Sequence, residues 1–310
     1  MAKRRPAGKK PSHLYTLDRM PRVDIHVHIG DPKENGRLIR IMNQAGIAVV
    51  VNLSGKMEMV EQMAEVHRKW KGRILLAPGQ YRTGRTLWWS MKDLERFKEA
   101  GCAGTKIHCH YTRGLGSKSN IAKIRRQGEL GLPVIGLHIA DPYRPGYWRP
   151  TYWDCIREAA DVIAACPATT FIMAHGFWLM THDEGLAALA EYFDRYPNLN
   201  ADLSACFQWW DPPEPTHDKL RAFVVRYQDR LLYGTDGSPG YSRKRHYRNT
   251  YTILETRGEH LHGFFTPRKA HTWIKGLGLS KDALNRIYWA NAARLVPRVR
   301  ESLAGLGYDV

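Results

Sequence analysis

The chain has 310 residues, of which 43% are apolar and 25% charged, the composition of a folded globular protein and not of a disordered, collagenous or coiled-coil one. Its formal charge is +17, and five of the basic residues (Lys3, Arg4, Arg5, Lys9 and Lys10) crowd into the first twelve positions without an acid among them. No apolar run approaches the roughly 18 residues of a membrane helix, and the basic N-terminus lacks the apolar region of a secretory signal.

Along the chain, short β-branched runs alternate with longer segments of helical period, the pattern of β/α units and a parallel sheet. The runs are Arg22–Ile29, Ile47–Leu53, Arg73–Ala77, Ala103–Cys109, Pro133–Ile139, Thr169–Ala174, Leu199–Ser204 and Arg230–Tyr233. Between them lie amphipathic stretches, among them Met57–Lys71, Met91–Ala100, Tyr152–Ala165, Asp183–Tyr196 and His217–Tyr227. Ser90 is placed to cap the second of these, and Thr181 or Asp183 the fourth. Gly101, Gly131 and Pro197 stand just beyond helix ends. Eight strands with seven intervening helices predict an α/β fold, a (β/α)8 TIM barrel closed by helical segments in 245–297. We expect one barrel domain over 22–297, near the usual barrel length of about 250 residues. A basic arm (1–21) precedes it and a short tail (298–310) follows. The loop Asp141–Pro150, rich in proline, arginine and aromatics, reads as an active-site lid.

Chemistry in such a barrel collects at the C-terminal ends of the strands. The first run ends in Asp24-Ile-His26-Val-His28, the fourth in Lys106-Ile-His108-Cys-His110, the fifth in His138-Ile-Ala-Asp141, the sixth in His175 and the eighth in Asp236. His26 and His28 have strand spacing, so one face carries both imidazoles, and two such imidazoles with a carboxylate and a third imidazole make a Zn²⁺ site. An H-x-H pair alone is weak: about 0.6 would arise by chance, and the chain has three, at 26/28, 108/110 and 260/262. Position separates the first pair from the others, because its partners each end a different predicted strand. Any one of these histidines read alone is as well a satisfied core residue. Asp24, at the same parity as His26, is expected to support a site residue from behind or to be structural, and Asp202 and Ser204 on the seventh strand to hydrogen-bond near the site or to serve the fold alone.

The ordered set DIHVHIG, GTKIH, GLPVIGLHIADP, FIMAHG, LNADLSA and LLYGTD, with LNRIYWANAARL at 284–295, resembles the amidohydrolase superfamily, and most of all its amidohydrolase-2 group, which includes aminocarboxymuconate-semialdehyde decarboxylase. The resemblance covers 22–297. It implies a single divalent metal, zinc in most of the group, held by His26, His28, His138 and Asp236. His175 would then be the catalytic base toward a metal-activated water, with Asp236 able to share that proton work. Some superfamily members carry a carboxylated lysine that bridges two metals, which would make Lys106, with His108 beside it, part of a second metal site. The other readings of Lys106 are an anionic-substrate contact and a salt-bridged structural lysine.

The activity implied is a metal-dependent hydrolase acting on a small, carboxylate-bearing organic substrate, in a homo-oligomer. The alternative at the same site is non-oxidative decarboxylation of an aromatic or unsaturated acid. The loops after the strands carry many aromatics and cations, among them Tyr81, Arg82, Trp88, Trp89, Phe177, Trp178 and Trp209, and form either an anion-binding pocket or a basic rim. A TatD-like nuclease would use the positive charge, but the third strand ends in Leu-Ala-Pro-Gly-Gln80-Tyr81, without the glutamate that group usually shows. A barrel that binds metal without catalysis is the non-enzymatic reading. Five cysteines, odd in number and without a C-x-x-C pair, point to a reducing, cytoplasmic compartment.

Overall fold

The computed structural model describes residues 20–79, 87–108, 114–138, 152–206, 216–240, 244–262 and 272–310. The arm through residue 19, the expected lid and the loop residues at 80–86, 109–113, 207–215 and 241–243 lie outside the described residues.

Strand β1 (Val23–Val27) pairs in parallel with β2 (Val49–Gly55), and β2 with β3 (Ile74–Pro78). A second parallel sheet runs β4 (Val134–Leu137), β5 (Phe171–Met173), β6 (Leu199–Asp202) and β7 (Leu231–Leu232). Segment 103–108 joins the two. Ala103 N donates to Leu76 O (2.7 Å) and Lys106 N to Pro78 O (2.8 Å) on one side. On the other, Thr105 N donates to Pro133 O (3.0 Å) and His138 N to Ile107 O (2.8 Å). The ring closes between the ends: Ile25 N donates to Tyr233 O (3.1 Å) and His28 N to Gly237 O (2.7 Å). The eight expected runs thus form one circuit of parallel neighbours, the TIM barrel.

Segment 103–108 lacks a continuous ladder because the backbone there approaches β4 closely. A Cβ on Gly104 would lie 2.4 Å from Pro133 O, and the β4–β5 register slips at Gly136, whose φ is +76°. Only glycine adopts that conformation without strain.

Apolar side chains alternate between two layers, as strand geometry requires. Val23, Ile25, Val49, Val51, Leu53, Leu75, Ala77, Ile135, Ile172 and Leu232 form the inner cluster. Their neighbours Val50, Ile74, Leu76, Val134, Phe171, Met173 and Leu231 face the helices. The helix Val299–Gly305 covers the N-terminal mouth: Val299 and Leu303 are fully buried in the inner cluster, and Ser302 packs on Gly72 just ahead of β3. Residues beyond 298 are therefore part of the barrel floor.

Seven helices carry the outer layer past β1–β5. They are α1 (Asn35–Ala45), α2 (Met57–Glu61), α3 (Met63–Lys69), α4 (Met91–Glu99) and α5 (Lys118–Glu129), followed by α6 (Tyr152–Ala165) and α7 (Asp183–Arg195). Ser90 caps α4 with a reciprocal capping box to Asp93. The stretch expected as one helix from Met57 breaks at Gln62, with Met59, Val60 and Met63 buried on either side. At α7 neither expected cap acts: His182 holds the cap position without a side-chain bond to the first turn, and the Thr181 hydroxyl donates instead to Trp178 O (2.5 Å). No described helix is long and apolar enough to cross a membrane.

Candidate metal centre

The site begins with a slip in β1. The ladder shifts between Asp24 and Val27, so Val23 and Ile25 face the lumen while Val27 and Ile29 face the helices. His26 and His28 thereby turn inward together. Asp24 does not follow them. Its buried carboxylate accepts His26 N (3.1 Å), Thr235 N (3.1 Å) and the Thr235 hydroxyl (2.6 Å), tying β1 to the loop that carries Asp236. Burial pushes this carboxyl up to about 7, against the Thr235 bond. The structural role expected of it holds; the shared parity does not, because the slip breaks strict alternation.

The Nε2 atoms of both imidazoles converge on one carboxylate oxygen. His28 Nε2 lies 2.9 Å and His26 Nε2 3.3 Å from Asp236 Oδ1. Their opposite nitrogens are anchored: His26 Nδ1–H donates to Asp202 Oδ2 (2.8 Å), and His28 Nδ1 lies 2.7 Å from the Ser54 hydroxyl. Fixing Nδ1 in this way directs the Nε2 lone pair to the common point, as in metal-ligating histidines generally. Asp236 adopts a left-handed backbone (φ +57°), held by its own N–H to His26 O (2.8 Å). The lumen beside it has no room: a Cβ on Gly234 would come within 3.1 Å of His26 Cβ and 3.2 Å of Ser204 Cβ.

Burial opposes ionisation of Asp236, but the His26 and His28 imidazoles beside it hold the carboxyl well below the usual range. His28 is pushed down to about 3 by burial and then by Lys106. Burial works against a charge on His26 as well, yet the Asp202 carboxylate raises it. Two carboxylates held in their ionised form, Asp202 and Asp236, thus lie on either side of the His26 ring. His26, His28 and Asp236 offer three donors close enough to hold one metal ion, and the donor chemistry suits zinc or another first-row divalent ion.

His175 sits on a left-handed turn. His175, Gly176, Phe177 and Trp178 all have φ between 51° and 64°. Its N–H donates to Asp202 Oδ1 (3.0 Å), and Tyr152 OH donates to Phe177 O (2.6 Å). The imidazole stacks on Trp178 (4.5 Å) and on His26 (4.9 Å). Its Nδ1 lies 2.8 Å from Ser204 O, which can only accept, so Nδ1 carries the proton and Nε2 is the basic nitrogen. Burial lowers the pKa of this ring, against the pull of Asp236.

Lys106 is buried with Nζ at 3.3 Å from His26 Nε2 and 3.4 Å from His28 Nε2, where it donates to both lone pairs. Burial lowers it to about 8, against the pull of Asp236 and Asp202. It stands inside the ligand set rather than in a peripheral salt bridge. His138 reaches the same lumen, its ring 4.9 Å from His175 and 4.6 Å from His108, but it lies outside the His26, His28 and Asp236 donors and outside a second close set of donors, His26, His175 and Asp202.

Two expected wall residues are core instead: Trp89 and Phe177 are fully buried in the outer layer. Ser54 was missed. Its signal is the alternation of Asn52 and Ser54 at the C-terminal end of an otherwise apolar strand.

The model of one enzyme family, described as "Amidohydrolase", matches residues 23–298. The chain belongs to the amidohydrolases, in their amidohydrolase-2 group. It is an enzyme of a metal-dependent family that acts on small molecules as a hydrolase or a decarboxylase. An uncharacterised TIM-barrel protein from Bordetella bronchiseptica superimposes with a TM-score of 0.60 at 15% identity, over 93% of this chain and all of that one. A dihydroorotase from Campylobacter jejuni gives 0.52 at 12% identity, over 88% of this chain and 82% of that one. A 5-carboxyvanillate decarboxylase from Novosphingobium aromaticivorans, with bound manganese and a substituted nitrobenzoic acid, gives 0.53 at 14%, over 84% and 80%. These likenesses support the barrel fold. No curated protein matches the sequence.

Proposed function

We propose that this amidohydrolase is a hydrolase of a small, carboxylate-bearing organic substrate, dependent on one divalent ion per chain, zinc by preference. The observation that carries the reading is the convergence of His26 Nε2 and His28 Nε2 on Asp236 Oδ1, with both outer nitrogens anchored. His138 is assigned as the further imidazole ligand. A bound ion would supply Lewis acidity toward a substrate carbonyl and toward water near neutral pH. His175 Nε2 is the atom that accepts a proton during attack and returns it to the leaving group, and its stack on Trp178 fixes the ring plane for both transfers. Asp236, whose side chain is 35% exposed, is open to substrate on its outer side. Lys106 and the strongly basic surface favour an anionic substrate.

Non-oxidative decarboxylation is the second reading, favoured by the manganese-bearing decarboxylase among the fold neighbours and by an aromatic face beside the base. There His175 would deliver a proton to carbon as carbon dioxide leaves. Metal analysis of protein purified without chelator tests the site. One zinc per chain is the expected value; two would make a carboxylated, bridging Lys106 the better reading, and none after reconstitution would refute it. A panel of lactones, amides and aromatic acids, scored for acid release and for carbon dioxide, then separates the two reactions.

A further inference from the structure

We infer that Asp202 is a positioning residue that serves both halves of the site at once: it sets the imidazole of His26 for the cation and holds the turn that presents His175. The inference deepens the reading of the metal site given above and rests on it. Asp202 lies at the end of β6 and touches neither Asp236 nor any group assigned to substrate. Its carboxylate is fully buried, and each oxygen has its own task. Oδ2 accepts from His26 Nδ1 (2.8 Å). Oδ1 accepts from His175 N (3.0 Å), from Ser204 N (3.0 Å) and from the Ser204 hydroxyl. The Ser204 oxygen in turn lies 2.9 Å from Nδ1 of both His26 and His175.

Only an acceptor on both sides satisfies this geometry. All the groups facing Asp202 are N–H or O–H donors, so a carboxylate, with two acceptor oxygens and no hydrogen, is the matching group. The chemical consequence at His26 is specific. A proton fixed on Nδ1 leaves the lone pair on Nε2, the nitrogen that faces His28 and Asp236. At His175 the bond to Oδ1 anchors a residue with a strained left-handed backbone, within a turn that contains two more such non-glycine residues, Phe177 and Trp178. One carboxylate therefore links the orientation of a ligand on β1 to that of the base after β5.

Asp202→Asn separates this role from packing, since the two side chains have the same shape. Asn can keep its oxygen toward His175 N and Ser204 N only by turning its NH₂ to His26 Nδ1. That donor forces Nδ1 to accept and places the ring proton on Nε2, where a cation would bind. We expect the folded variant, checked by circular dichroism, to bind Zn²⁺ or Co²⁺ 10–100-fold more weakly in competition with a chelator. Ser204→Ala, which keeps the carboxylate, should stay within about threefold of wild type on the same scale. Nitrogen NMR of the zinc-loaded wild type is the readout that needs no variant: His26 and His175 should both carry Nδ1–H. A folded Asp202→Asn with wild-type affinity, a Ser204→Ala as weak as it, or an Nε2–H on either ring overturns the inference. Failure of the wild type to take up any divalent ion would overturn the metal reading itself, and this inference with it.

Discussion

The two ends of the barrel lumen obey different rules. The floor is apolar: Val23, Ile25, Val49 and Leu75 alternate inward from their strands and meet Val299 and Leu303 of the closing helix. Its backbone is regular, and its stability follows from area removed from water. The rim is polar and fully buried in places, with His26, Lys106, His175 and Asp202 within a few ångströms of one another. There the backbone departs from the ideal at the β1 slip, at Asp236 and at the turn from His175 to Trp178. The bonds that aim the rim's imidazoles run to groups on other strands: His26 to Asp202, His28 to Ser54 and His175 to Ser204. A floor residue can be exchanged for one of similar volume; a rim residue must match donors and acceptors.

If this contrast is right, substitutions at the two ends fail in different ways. The largest effect is expected of the double variant His26→Ala/His28→Ala, which should lose essentially all bound metal while its circular dichroism stays that of a folded barrel. Metal retained at the wild-type level would mean that the rim imidazoles are structural. Next comes His175→Asn, for which metal content should not change while kcat falls about 10²–10⁴-fold, the usual worth of a proton-transfer group. Unchanged turnover on the substrate found by the panel would remove the base role from His175. At the floor, Leu303→Ala should lower unfolding free energy by about 2–5 kcal/mol in a urea titration, the cost of deleting a buried leucine side chain. Its metal stoichiometry should equal the wild type's, and a loss of metal there would show that floor and rim are not separable.

The same contrast explains what the sequence reveals. The floor and the eight-membered circuit are legible because apolar alternation is a direct consequence of strand geometry, and all eight runs fall on the ring. The identity of the rim groups is legible too, since His26, His28, His175 and Asp236 end their strands. Their partners were less so. Strict alternation puts Asp24 beside His26, but the slip between Asp24 and Val27 turns it to Thr235. Phe177 looks like a loop aromatic, yet the left-handed turn folds it into the core; such a turn depends on Asp202 and Tyr152, distant in sequence, and has no local propensity to announce it. The break at Gln62 was likewise hidden by a continuous helical period over Met57–Lys71.

Local chemistry without tertiary partners is the clearest case, and it gives the smallest effect. The Ser90 hydroxyl accepts Asp93 N (3.2 Å), and the Asp93 carboxylate accepts Ser90 N (2.8 Å) in return. Both bonds lie within four residues at the exposed start of α4, so the sequence alone announces them. Removing the Ser90 hydroxyl leaves the Asp93 amide without that partner but in reach of water. Ser90→Ala should therefore cost about 1 kcal/mol by denaturant titration, well below the Leu303 change. Metal binding should not move, because α4 meets the barrel through Leu94 and Phe97 on its buried face. A cost as large as that at Leu303 would mean that α4 is anchored by its first turn rather than by those two side chains.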